Sequence, residues 1–91
     1  MADKETGTLP KIAETFSQSI AMRLRAARKA AGFRTEKSFA RKYDIPLTTY
    51  SQHETGKRKM AVETAIDYCR KLNINLCWLL TGAGEALSIF Q

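Results

Sequence analysis

Apolar residues return along this chain at intervals of three and four, the spacing of one face of an α-helix, and nowhere alternate for long enough to predict a strand. From about Thr15 the positions Ile20, Leu24, Ala27 and Ala31 keep that rhythm until Gly32 ends it, which predicts a first helix. Thr35 can cap a short second helix through Tyr43, with Phe39, Ala40 and Tyr43 as its inner face. Asp44 tolerates the left-handed conformation of the turn that follows. Pro46 presets φ for the first turn of a third helix, which runs to Thr55 and stops at Gly56, leaving a connection of about three residues. Val62, Ala65, Ile66, Cys69 and Leu72 mark one face of a fourth helix. Asn75 can cap a fifth that carries Trp78 and Leu79 through Leu80, with Gly82 just past its end. The pattern therefore predicts an all-α domain of five short helices over residues 15–82, with a polar arm over 1–14 and a tail over 83–91.

A chain of 91 residues supports one hydrophobic core, and four Phe, three Tyr and one Trp suffice to fill it. Cys69 and Cys77 form no disulfide framework, no signal-peptide pattern opens the chain, and no apolar run approaches the roughly 18 residues of a membrane span. The expectation is a soluble, cytoplasmic protein.

Charge changes the picture more than composition does. The net charge is +6, yet residues 19–59 alone carry eleven Lys and Arg against Glu36, Asp44 and Glu54, a local +8, while each flank sums to −1. Such concentration costs self-repulsion that a polyanion relieves. A merely solvated basic face has the same composition, so charge alone does not select nucleic acid. The third helix is more specific. Pro46, His53 and Glu54 share the side of Tyr50, whereas Leu47, Thr48, Ser51, Gln52 and Thr55 form an opposite face that is short, uncharged and rich in hydrogen-bonding groups. With Lys57, Arg58 and Lys59 beside it, that face suits base edges framed by phosphates.

The run from Arg23 to Gly32 (RLRAARKAAG), then Thr35 to Ala40 (TEKSFA), Ile45 to Arg58 (IPLTTYSQHETGKR) and Leu72 to Gly82 (LNINLCWLLTG), closely resembles the Xre family of phage Cro and lambda-type repressors. The resemblance implies a five-helix lambda-repressor-like fold with a helix-turn-helix at helices 2 and 3. It implies sequence-specific binding of a double-stranded DNA operator, usually as a two-fold homodimer, and transcriptional regulation, most often repression. No catalysis, cofactor or metal is implied. Position by position, it assigns base reading to Leu47, Thr48, Ser51 and Gln52, the residues that the helical face also singles out. Phosphate contacts fall on Arg34, Thr35 and Lys37 at the start of helix 2 and on Lys57 and Arg58 after helix 3. Arg28 and Glu54 occupy the places of an ion pair between helix 1 and the recognition helix. This chain departs from the pattern at Glu36, where many members have a glutamine whose amide donates to a phosphate, because an ionised carboxylate has no donor. Backbone N–H groups, Arg34 or Lys37 can replace that contact. One extra residue near Phe33 and Arg34 lengthens the loop before helix 2.

The remaining candidates read as structural. His53, on the inward side of helix 3, is expected to pack rather than to ligate or catalyse. Cys69 and Cys77 are expected to be buried and to hold no metal. Trp78, Leu79 and Leu80 read as core or subunit contact, and Leu87, Ile89 and Phe90 as part of a dimer interface. Two alternatives to a repressor stay open: an antitoxin that binds both its operator and a toxin partner, and a protein-interaction module without DNA binding.

Overall fold

The computed structural model describes residues 18–87. The arm predicted over 1–14, the helix start predicted at about Thr15, and Ile89 and Phe90 of the tail lie outside them. The described residues form five helices: α1 over 18–30, α2 Glu36–Lys42, α3 Leu47–Glu54, α4 Val62–Leu72 and α5 Leu76–Thr81. No strand occurs among them, only an isolated antiparallel bridge between Ile74 and Leu87.

Each helix end follows from a local signal. Gly32, at φ +97°, lets α1 close with Gly32 N–H on the Lys29 carbonyl and Phe33 N–H on that of Arg28, a Schellman closure. α2 starts on a capping box in which Thr35 Oγ1 accepts from Ser38 N–H at 3.0 Å and Thr35 N–H donates to Ser38 Oγ at 3.4 Å. Its other end repeats the Schellman closure without glycine. Asp44 takes φ 56°, and Ile45 N–H reaches the Ala40 carbonyl at 2.8 Å.

Tyr43 is thus the C-cap of α2 rather than its last helical residue, and Pro46 is the N-cap of α3 rather than its first. The connection is four residues, 43–46, one more than the sequence predicts. The reason is Pro46 itself, whose ψ of 127° is extended while its carbonyl already accepts from Tyr50 N–H. Thr55 caps the other end of α3, Asn73 at φ 57° ends α4, and Asn75 Oδ1 caps α5 on Cys77 N–H at 3.0 Å.

The core gathers Leu24 and Ala27 from α1, Phe39 and Ala40 from α2, Tyr50 from α3, Ala65, Tyr68, Cys69 and Leu72 from α4, then Ile74 and Leu79. Phe39 sits at its centre, with ring centroids of Tyr50 at 4.8 Å, Tyr43 at 5.0 Å, Phe33 at 5.2 Å and Tyr68 at 6.1 Å. Edge-to-face and tilted pairs of this kind add to the burial of the rings. Three apolar positions depart from their predicted burial. Ala31 is exposed beside the closing glycine of α1, and Val62 is 61% exposed because it opens α4 at the rim of the core. Cys77 is exposed as well, since α5 turns Leu79 inward and leaves Cys77 on the outer side with Thr81, 3.6 Å away. Trp78 and Leu80 pack against the core from its edge.

Candidate nucleic-acid interface

Only one face of α3 is committed to the interior. Tyr50, His53 and Glu54 are buried, Leu47, Thr48 and Thr55 are exposed, and Ser51 and Gln52 are half-buried. The outer residues Leu47, Thr48, Ser51, Gln52 and Thr55 line an open groove of about 390 Å³ together with Glu36 of α2 and Lys57 beyond α3. The α3 residues in it are uncharged and offer hydroxyls, one amide and one apolar side chain, whereas its charged groups come from Glu36 and Lys57.

The orientation of this face is set from beneath. Arg28 of α1 grips Glu54 with two parallel hydrogen bonds, Nε to Oε2 and Nη2 to Oε1, each 2.8 Å. Its Nη1 donates to the Phe33 carbonyl at 2.6 Å. The side chains are 3% and 1% exposed, so this is a desolvated pair joined by planar, bidentate bonds. Hydrogen bonding to Glu54, opposed by burial, raises the Arg28 pKa above its already high ordinary value. Nearby, His53 Nδ1 lies 2.8 Å from the Tyr68 hydroxyl of α4. Burial, with the charge of Arg58 second, pushes the His53 pKa down, and burial pushes Tyr68 up to about 12. Both are therefore neutral partners at pH 7. The Tyr50 hydroxyl, close to the Glu54 carboxylate, finds no hydrogen-bond geometry among the described residues, and burial pushes its pKa strongly up. One helix is thus tied to α1 by an ion pair and to α4 by a hydrogen bond, leaving its opposite face outward.

Arg34, Thr35, Lys37, Lys57 and Arg58 are all exposed. The Thr35 oxygen is engaged in the cap, but a hydroxyl that accepts still has its own proton to donate. Not every cation of the basic segment is available to a partner. Arg28 is neutralised inside, and half-buried Arg23 donates from Nε to the Leu79 carbonyl at 2.8 Å. Nine remain exposed: Arg25, Lys29, Arg34, Lys37, Arg41, Lys42, Lys57, Arg58 and Lys59. Neither the Tyr68 partner of His53 nor the Arg23 bond to α5 is foreseen from sequence, for each joins residues far apart along the chain. Among the described residues no cluster of His, Cys, Asp and Glu can hold a metal, and no helix is long and apolar enough to cross a membrane.

A family model described as a helix-turn-helix domain matches residues 21–85, most of the chain and all of α2 to α5. The chain belongs to the helix-turn-helix domain family. In this helix-turn-helix domain α2 and α3 are the two helices of the motif, and the five-helix, all-α architecture agrees with a lambda-repressor-like fold. Membership makes DNA the partner and transcription regulation the process, in a class of domains that as a rule performs no catalysis. Comparison with curated proteins and with solved structures returns no significant match.

Proposed function

We propose that this helix-turn-helix protein is a transcriptional repressor of the Xre type. It binds a near-palindromic double-stranded operator as a homodimer in the cytoplasm, with neither cofactor nor catalysis. The observation that carries this reading is the outer face of α3. Leu47, Thr48, Ser51 and Gln52, with no charge of their own, line a groove on a segment of strongly positive net charge. Uncharged donors and acceptors discriminate base edges, while cations that meet phosphates add affinity without regard to sequence.

In this reading Leu47, Thr48, Ser51 and Gln52 meet bases, and Arg34, Thr35, Lys37, Lys57 and Arg58 meet phosphates. Arg28 and Glu54 touch no DNA and hold α3 at its angle. Dimerisation places two recognition helices roughly 34 Å apart, one turn of duplex. Support for a two-fold contact near the C-terminal end comes from Leu87, 68% exposed, beside an apolar groove that also includes Ala26, Ala30, Leu72 and Trp78.

Selection of bound sites from random duplexes tests the function directly. The expected result is an enriched inverted repeat, bound with an affinity that falls steeply as salt rises. Recovery of random sequence, or binding indifferent to salt, would overturn it.

A further inference from the structure

We propose that Glu36 is a specificity-determining residue whose carboxylate reads the exocyclic amine of cytosine in the α3 groove. The inference rests on the DNA-reading function proposed above. Glu36 begins α2, yet it lines the same groove as Leu47, Thr48, Ser51 and Gln52. It is half-buried there, and no cation stands within ion-pair distance of it among the described residues.

Two structural duties that such a carboxylate often performs are already filled. The capping box of α2 is closed by Ser38, which leaves the Glu36 side chain out of the cap. Arg28, near enough for its charge to feel Glu36, directs its guanidinium at Glu54 and at the Phe33 carbonyl. Glu36, in the first turn of α2, performs neither duty and lines the groove.

The chemistry of base edges then narrows what it can meet. A carboxylate only accepts. In the major groove guanine presents N7 and O6, both acceptors, and thymine presents O4 and a methyl group. Adenine offers one amine beside the acceptor N7. Cytosine alone presents its N4 amine with no neighbouring acceptor on the same base. Leu47 can neither donate nor accept, and the hydroxyls of Thr48 and Ser51 and the amide of Gln52 can do both. Glu36 is thus the one obligate acceptor lining the groove. It favours cytosine and disfavours guanine and thymine by repulsion, and discrimination gains from both effects.

The test compares the full chain with Glu36→Gln and Glu36→Ala in selection from random duplexes, followed by affinities on every single-base variant of the selected site. Thermal melting of each variant checks its fold. The native protein is expected to require cytosine at one position of each half-site, at a penalty of roughly ten-fold for other bases. Glu36→Gln, which both donates and accepts, should move that preference towards adenine, and Glu36→Ala should erase it, with the remaining positions unchanged. A folded Glu36→Gln that binds every sequence more tightly with an unaltered profile overturns the assignment, because the carboxylate then only repels phosphate. Absence of any enriched site for the native chain overturns the DNA-reading function itself, which is a different outcome.

Discussion

Arg28 and Glu54 exchange two 2.8 Å bonds out of reach of water, and removing either partner strands the other charge in the core. That stranding costs more than the intact pair contributes, so Arg28→Ala should lower the unfolding free energy by about 3 kcal/mol in a urea titration. A loss below about 0.5 kcal/mol would be that of a solvent-exposed pair. His53 supplies a second test at this scale. Its pKa in the fold lies below the ordinary 6.5 because burial disfavours the cation, so the unfolded chain binds more protons than the folded one in that range. The stability it contributes is present above the unfolded value and is lost as pH falls through 6.5 towards the lower folded value. The unfolding midpoint is expected to drop between about pH 7 and about pH 5, and His53→Gln should flatten that drop. An unchanged slope in the variant would place the sensitivity elsewhere.

Helix α3 separates reading from clamping. Gln52 lies in the groove one turn beyond Thr48, and its amide has the paired donor and acceptor that match adenine N6 and N7. Arg58 is exposed past the end of the helix, where a flexible cation meets the backbone. Gln52→Ala should relax preference at one position of each half-site by about 1 to 3 kcal/mol, whereas Arg58→Ala should weaken all sequences alike and reduce the salt slope by about one. Affinities on single-base operator variants at several salt concentrations distinguish the two. If Gln52→Ala leaves the profile unchanged, the outer face as assigned does not read bases. The caps give a simpler test at the same scale. Asn75→Ala removes the side-chain acceptor that opens α5 and should cost about 1 kcal/mol in thermal or denaturant unfolding.

Assembly belongs to the scale of the whole molecule. Deleting residues 84–91 removes Leu87 and its bridge to Ile74, and should shift sedimentation from dimer to monomer at high micromolar concentration if that end forms the two-fold contact. A monomer both before and after deletion counts against that contact. The sequence by itself determined the five helices and the caps at Thr35 and Asn75, because spacing, caps and turn residues act within a few positions of one another. It also marked the outer face of α3, since a helix of fixed pitch assigns each residue a side once Tyr50 is set inward. The tertiary structure alone decided that Tyr68 meets His53, that Arg23 is tied to α5, that Cys77 faces out and that Glu36 joins the groove of α3. Those outcomes depend on how helices distant in sequence cross and pack, which local periodicity does not encode.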